Sequence, residues 1–173
     1  MPNWRMRTTW RSRPPSDAVS GLGSTPASDA ARTFVVNSLA ARAQSVGEIE
    51  RKLAARGVAH HVAEEVVEEA VRLGYLDDTE LAGQLARGFR GRRYGRRRAA
   101  LAMRRRLLDA AIVDAALDAA YADADEAALA LDALGARALS DPGNRRRAVA
   151  FLLRRGFSPD AAWRAVRDGQ DLR

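Results

Sequence analysis

The chain has 173 residues, a length that suits one ordinary domain or a short array of small helical units. Apolar residues make up 47% of it, many of them alanine, whereas aromatic residues make up only 6%, and this composition favours helices over sheets. The formal net charge is +7, which suggests an acidic partner such as nucleic acid or an acidic protein groove, and the lack of cysteine excludes disulfides and thiolate chemistry.

Residues 1–28 combine Gly, Ser, Pro and Arg without an apolar period, so they predict a flexible basic tail. The tail is poor in acidic residues, as organelle-targeting peptides are, but Pro14 and Pro15 interrupt any amphipathic helix there. No apolar run in the chain approaches the roughly 20 residues that span a bilayer. We therefore expect a cytoplasmic protein that does not enter a membrane.

From residue 29 onward, helix start and stop signals recur. Ser45 and Glu48 have the spacing of a capping box, and Asp77 with Glu80 repeats it. Capping residues stand directly before a proline at Asp141-Pro142 and Ser158-Pro159. The glycines expected at helix ends, where a left-handed residue is needed, are Gly57, Gly74, Gly156 and Gly169. These signals predict about nine short helices.

The pattern repeats at a spacing of 49–50 residues. The corresponding apolar residues are Leu53, Met103 and Leu152, and the corresponding helix ends are Gly57, Leu107 and Gly156. Units this small can rarely bury a core alone, and stacking lets neighbours share one. The sequence therefore predicts an all-α fold of three tandem three-helix repeats, at residues 29–76, 77–123 and 124–170, which form an elongated, curved array.

Arginine is concentrated in the middle of the chain. Residues 87–106 contain ten arginines and no acidic residue, and shorter runs follow at 145–147 and 154–155. The arginine fork binds phosphate or carboxylate through two hydrogen bonds, and its flat face stacks on bases. The alternative interpretation is a solubilising surface. Because the runs fall at matching places in the second and third repeats, we favour a continuous basic strip.

Four motifs resemble the RecX family in order and spacing. Residues 45–53 (Ser-Val-Gly-Glu-Ile-Glu-Arg-Lys-Leu) are similar to the family's Ser-x-x-Glu-Leu-x-x-Lys-Leu stretch, and residues 74–82 (Gly-Tyr-Leu-Asp-Asp-Thr-Glu-Leu-Ala) are similar to its link between repeats. Residues 93–98 resemble its basic, Gly-centred entry into the fifth helix, and residues 151–157 resemble its Phe-Leu-x-x-Arg-Gly-Phe motif. Leu107 departs from the family's usual glycine, so we expect the fifth helix to end differently here.

The resemblance implies a non-enzymatic regulator that binds RecA recombinase filaments on single-stranded DNA and inhibits RecA ATPase, strand exchange and filament extension, in recombinational repair and the SOS response. It implies no cofactor and a monomer whose contacts with single- or double-stranded DNA stay open. From charge and repeat phase, the predicted RecA- and DNA-binding residues are Arg92, Arg93, Tyr94, Arg96, Arg97, Arg98, Arg104, Arg105, Arg106, Arg145, Arg146, Arg147, Arg154 and Arg155.

Two other function classes stay open. The first is an autonomous DNA-binding protein without sequence preference, because three-helix units resemble helix-turn-helix modules but no recognition helix rich in Gln, Asn or Ser is found. A specific duplex footprint without RecA would favour an autonomous DNA-binding protein. The second is a generic helical scaffold, which would bind neither RecA nor DNA.

Two further features of the sequence concern metal binding and a contact with a partner through an aromatic side chain. The only histidines, His60 and His61, are adjacent and point about 100° apart on a helix, so we predict no metal site. Trp163 falls where the earlier repeats have Glu64 and Asp114, which should face water. Trp163 is therefore either an exposed partner contact or, if the last repeat packs differently, a buried core residue.

Overall fold

The computed structural model describes residues 25–135 and 142–171. In these ranges the chain forms nine α-helices and no strand, so the all-α prediction is confirmed. The helices are α1 (Pro26–Ala41), α2 (Val46–Ala55), α3 (His60–Arg72), α4 (Asp78–Gly91), α5 (Arg96–Arg104), α6 (Ala110–Tyr121), α7 (Glu126–Leu134), α8 (Pro142–Arg154) and α9 (Pro159–Asp171).

Each successive set of three helices encloses an apolar cluster of its own. In α1–α3, which we call the first unit, Ile49 and Leu53 are fully buried on one face of α2. In α4–α6, the second unit, Met103 and Leu117 are fully buried. Leu152 is buried in α7–α9, the third unit, at the repeat position of Leu53. The repeating apolar pattern thus marks the centre of each cluster.

The predicted helix caps are confirmed wherever the structure describes them. The Ser45 Oγ accepts from the Glu48 N–H at 3.1 Å, and the Glu48 carboxylate accepts from the Ser45 N–H at 3.1 Å, which completes the capping box of α2. Asp77 caps α4 by accepting from the N–H of Glu80 at 2.8 Å. The Ser158 Oγ accepts from the N–H at position 161 at 3.2 Å. Residues 1–24 and the predicted cap at position 141 lie outside the described residues.

Two predicted boundaries are wrong. The first helix begins at Pro26, not after residue 28, because Thr25 already caps it by accepting from the Ser28 N–H at 3.2 Å, with the proline at the first helical position. Gly169 does not end a helix, since α9 continues to Asp171. A glycine inside a helix costs only about 1 kcal/mol, which the buried packing of Val166 on the same helix can offset.

The expectation that α5 ends differently because of Leu107 is also wrong. Leu107 adopts the left-handed conformation (φ +59°) in which the corresponding Gly57 (φ +73°) and Gly156 (φ +89°) are found. Its side chain lies against Gly47, where an added Cβ would come within 2.7 Å of the Leu107 Cβ. This contact with the first unit compensates for backbone strain of about 1 kcal/mol or more.

The second helices of the units meet end to end. At the start of α2, the Ser45 Oγ donates to the Arg106 carbonyl, just beyond the end of α5, at 2.5 Å. We call this contact region, formed by Ser45, Glu48, Arg106 and Leu107, the first joint. It positions the first unit against the second.

The second joint, formed by Tyr94, Gly95, Arg155 and Gly156, repeats this arrangement one unit further along. The Gly95 N–H donates to the Arg155 carbonyl at 2.9 Å, and the Arg97 N–H donates to the Gly156 carbonyl at 3.2 Å. The two backbones approach so closely that a Cβ on Gly95 would lie 2.3 Å from the Gly156 carbonyl carbon. Only glycine fits this position of α5 without moving the third unit.

Candidate functional site

The start of α5, at the centre of the arginine cluster, is electrostatically unfavourable. Its first turn holds Arg96, Arg97 and Arg98 and no acidic residue, although the helix macrodipole already places positive charge at that end. Its N-cap, Gly95, provides no side-chain acceptor. The carbonyls of the second joint stabilise this end of α5 instead. A sequence that breaks a local rule in this way is typical of a functional surface.

The second joint gathers arginines from two units around one aromatic ring. The guanidinium carbons of Arg98 and Arg155 lie 5.1 and 4.6 Å from the centre of the Tyr94 ring. Arg98 also donates to the Arg154 carbonyl at 3.2 Å, and Arg155 donates to the Arg92 carbonyl at 3.4 Å. These five predicted residues therefore lie together, although 56 residues separate Arg98 from Arg154 in the chain.

The first joint uses its arginine differently. Arg106 Nη2 lies 2.7 Å from Glu48 Oε2, and Arg42 Nη2 lies 3.0 Å from Glu48 Oε1. The Glu48 side chain is only 7% exposed. Burial would raise the pKa of Glu48, but the hydrogen bonds from Arg106, Arg42 and the Ser45 N–H outweigh it and lower that pKa to about 2. Arg106 is thus held in an internal contact.

Three further predicted arginines lie in ion pairs on the surface. Arg96 Nη2 lies 2.5 Å from Asp118 Oδ1, and Arg104 Nη2 lies 3.3 Å from Asp114 Oδ1, whereas Arg93 pairs with Asp132. All six side chains are more than 40% exposed, and pairs of this kind contribute little to stability. Another anion can therefore replace the carboxylate that pairs with each of these arginines at a small cost in free energy.

One face of α5 combines charge with exposed apolar surface. Arg97 and Leu101 lie on the same side of α5 at four-residue spacing, and the C-cap residue Arg105 continues that spacing at the end of the helix. Arg97 and Arg105 are exposed, and Leu101 is 52% exposed. Leu153, beside the second joint, is exposed as well. We call Arg97, Leu101 and Arg105 the α5 stripe.

The remaining predicted residues lie away from the second joint. Arg145, Arg146 and Arg147 are near the start of α8, whereas Arg154 ends that helix, roughly 12 Å further along at about 1.5 Å per residue. Trp163 is 49% exposed on α9, and Glu64 and Asp114 at its repeat positions are exposed too. Of the two alternatives left open for Trp163, the structure shows the exposed one, and its role as a partner contact stays a prediction.

A family profile and several known proteins match the sequence of this chain, and all of them are named RecX. The family profile described as RecX, first three-helix domain, matches residues 31–69. The regulatory protein RecX of Mycolicibacterium vanbaalenii is 32% identical over 162 residues, which cover 87% of this chain and 88% of that relative. The regulatory protein RecX of Stenotrophomonas maltophilia is 34% identical, and the match covers 77% of this chain and 83% of that relative. The one of Deinococcus radiodurans is 35% identical, and the match covers 83% of this chain and 70% of that relative. The chain belongs to the RecX family.

Solved RecX structures have the same fold. The crystal structure of RecX from Lactobacillus salivarius superposes with a TM-score of 0.75 at 18% identity and covers 85% of this chain and 98% of its own. A second crystal structure of the regulatory protein RecX superposes with a TM-score of 0.67 and covers 82% of this chain and 72% of its own. The three-helix units described above are therefore those of the RecX fold.

Sequence reasoning missed the residues that neutralise charge in this RecX-family chain. Glu48 was predicted only as part of a helix cap, and the pairing of Arg106 with it spans 58 residues. The capping box itself was the available signal. It turns the Glu48 carboxylate back toward the start of α2, where the neighbouring unit packs.

Neither a metal-binding cluster nor a membrane-spanning helix is found among the described residues. No three His, Cys, Asp or Glu side chains among them are placed to hold a metal ion, and His60 instead lies 3.0 Å from Glu64. Across residues 25–135 and 142–171, every helix is too short or too polar to cross a bilayer. The arginine-rich surface of the second and third units is thus the candidate functional site.

Proposed function

We propose that this protein binds RecA recombinase filaments on single-stranded DNA and inhibits RecA ATPase, strand exchange and filament extension. In this role it modulates recombinational DNA repair and the SOS response as a non-enzymatic, cytoplasmic monomer without a cofactor. Membership of the RecX family supports the regulatory role. The observation that carries the proposal is the gathering of arginines from two units at the second joint, next to the α5 stripe.

The electrostatics of this surface suit a repetitive anionic partner. The second joint brings guanidinium groups together around Tyr94, where aromatic rings rather than carboxylates flank Arg155. A concentrated positive field accelerates association with a polyanion and favours binding along it. A chain of stacked units can also contact several neighbouring subunits of a filament, so many weak contacts add up.

Fewer of the predicted RecA- and DNA-binding residues are available to a partner than their charge alone suggests. Arg106 neutralises Glu48, and Arg155 is half-buried between Tyr94 and Phe151, so both serve mainly to hold the units together. The exposed members of the predicted set that border these joints and have no carboxylate partner among the described residues are Arg92, Arg97, Arg98, Arg105 and Arg154. We expect these five to carry most of the binding to the filament.

Exposed leucines favour a protein groove over DNA alone. Leu101 lies between the two arginines of the α5 stripe, and Leu107 and Leu153 are more than 40% exposed close to the joints. Contacts between aliphatic side chains and a phosphate backbone add no binding energy. At the core of a protein interface, in contrast, buried aliphatic side chains stabilise the complex. Autonomous DNA binding without sequence preference is therefore the second candidate.

The test is inhibition of RecA ATPase on single-stranded DNA by the full chain carrying Arg97→Glu. Arg97 is exposed, and only its backbone N–H takes part in the second joint, so the fold should be retained. We expect inhibition to weaken at least tenfold, about 1.4 kcal/mol. Arg72→Glu, at an exposed arginine on α3, is the matched control and should inhibit normally. Unchanged inhibition by Arg97→Glu would contradict the proposal.

Leu101→Asp separates the two candidates. A protein groove predicts that this substitution weakens RecA inhibition as much as Arg97→Glu does. Autonomous DNA binding predicts that the chain binds single-stranded DNA without RecA, with an affinity that falls steeply with salt. Autonomous DNA binding also predicts that Leu101→Asp weakens the affinity for single-stranded DNA only as much as a negative charge introduced at any other surface position would.

A further inference from the structure

An open surface pocket of about 480 Å³ is lined by residues of α4, the turn after it, α6 and α7, and so lies between the second and third units. Arginines dominate its lining: Arg87, Arg90 and Arg93 come from the end of α4 and the turn after it. Asp132 of α7 is the acidic residue in the lining. We call this cavity the arginine pocket. It shares only Arg93 with the predicted contact set, so it is a separate feature of the molecule.

The three guanidinium groups are held in different ways. Arg90 donates to the Ala120 carbonyl at 2.7 Å, which fixes it against α6. Arg93 pairs with Asp132, and Arg87 lies 3.5 Å from Glu80, with both partners about 60% exposed. One arginine is therefore anchored, and the other two can turn to a ligand at little cost because their ion pairs are exposed.

Arg93 itself occupies a backbone position that disfavours it. Its φ is +59°, in the left-handed region where Gly57, Gly74 and Gly156 are found at other helix ends of this chain. A side chain there costs about 1 kcal/mol or more relative to glycine. Strain of this kind is typical of functional sites, and the Arg93 side chain lines the pocket.

We propose that the arginine pocket binds the phosphate group of a nucleotide unit. Three guanidinium groups against the two carboxylates of Asp132 and Glu80 leave an excess of one positive charge, and the planar guanidinium forks match phosphate oxygens. The rest of the lining is small or apolar, including Ala119, Ala120 and Leu129, and can pack against a sugar or base. The volume lies within the usual range of small-molecule sites. Both a free nucleotide and the backbone of a single-stranded nucleic acid supply this chemistry.

The experiment is isothermal titration calorimetry of the full chain at low ionic strength, without RecA, using adenosine monophosphate and a short oligothymidylate as separate probes. Arg87→Gln removes one fork, and Arg93→Gly removes another while relieving the left-handed strain. We expect each to weaken binding about tenfold. The melting temperature of Arg93→Gly should stay the same or rise, which separates loss of a ligand contact from loss of fold.

Arg72→Gln, which removes an exposed arginine of the first unit, is the control and should leave binding unchanged. Sensitivity of adenosine monophosphate binding to the pocket variants identifies a nucleotide site, and sensitivity of oligothymidylate binding alone identifies a backbone phosphate site. Either result supports the proposal. Equal affinities across all the variants, equal weakening by Arg72→Gln, or no binding of either probe would overturn it. Because RecA is not present, failure of this test would not affect the proposed binding to RecA filaments.

Discussion

In the first joint, the end of α5 meets the start of α2 beside the buried carboxylate of Glu48. In the second joint, the end of α8 meets the start of α5 beside the aromatic ring of Tyr94. Arg106 and Arg155 occupy the same repeat position, yet Glu48 neutralises the first and aromatic rings hold the second. Contacts between corresponding helix ends therefore give one neutral joint and one that remains positively charged, and the candidate interface adjoins the charged joint.

The two joints also differ in how closely their backbones approach. Gly95→Ala would place a Cβ 2.3 Å from the Gly156 carbonyl carbon and oxygen, so the third unit would have to move. We expect it to lower the free energy of unfolding by about 3 kcal/mol or more, measured by urea titration with circular dichroism. Gly47→Ala, at the first joint, should cost less, about 1–2 kcal/mol, because its nearest contact is the Leu107 side chain at 2.7 Å.

Gly91→Ala is the control for both substitutions, because nothing lies within 4 Å of a Cβ added there. In α4 it should be neutral or stabilising by a few tenths of a kcal/mol. If Gly95→Ala and Gly47→Ala had equal effects, the two joints would not differ in how tightly their backbones pack.

The carboxylate of the first joint gives the next largest effect. Glu48→Gln removes the charged partner of Arg106, whose side chain is only 23% exposed, and of the half-exposed Arg42. We expect a loss of about 2–3 kcal/mol in the free energy of unfolding. Glu50→Gln, on the exposed side of α2, should change stability by less than about 0.5 kcal/mol.

The pH dependence of stability tests the same carboxylate. The pKa of Glu48 is lowered from 4.5 to about 2 in the folded chain, so its stabilisation is present above pH 4.5 and is lost as pH falls toward 2. The full contribution is about 3 kcal/mol, at roughly 1.4 kcal/mol per pKa unit. Urea titrations from pH 6 to pH 2.5 should show the wild-type chain converging on Glu48→Gln. Parallel curves would show that Glu48 is not charged and paired in the first joint.

The sequence was sufficient for what depends on local chemistry. Caps such as Ser45 and Asp77 act within three residues, and the repeat places Leu53 and Leu152 in corresponding cores. The sequence was not sufficient where contacts between residues far apart in the chain determine the environment of a side chain. Nothing local distinguishes Arg106, which pairs with Glu48, from its neighbour Arg105, which is exposed. For the same reason the interface was predicted as a broad set of arginines rather than as the few that the joints leave exposed.

Leu107 illustrates the same limit for backbone conformation. Its residue type argues against a left-handed helix end, and only the approach of Gly47 from another unit makes that end favourable. The family's motif places glycine there, which made the departure look like a structural change. The contact across the first joint shows that leucine retains the glycine conformation instead.

An effect smaller than those of Gly95→Ala and of the Glu48 carboxylate concerns the aromatic ring of the second joint. Tyr94 is half-buried, with Arg98 and Arg155 over its ring and Phe89 in an edge contact at 5.9 Å. We expect Tyr94→Ala to lower the free energy of unfolding by about 2 kcal/mol, because two cation–π contacts contribute about 0.5–1 kcal/mol each in addition to the buried area. Tyr94→Phe keeps the ring and should remain within about 0.5 kcal/mol of wild type.

Tyr75→Ala is the matched control, since that ring is 40% exposed outside both joints and should contribute little. If Tyr94→Phe were as destabilising as Tyr94→Ala, the hydroxyl rather than the ring would stabilise the second joint. The ring interpretation also predicts a different response to salt. Cation–π contacts around a half-buried ring are screened less than exposed ion pairs such as Arg104 with Asp114, so the loss caused by Tyr94→Ala should persist at high ionic strength. Persistence would mean that Tyr94 holds two like charges together without neutralising them, which is what a surface for an anionic partner requires.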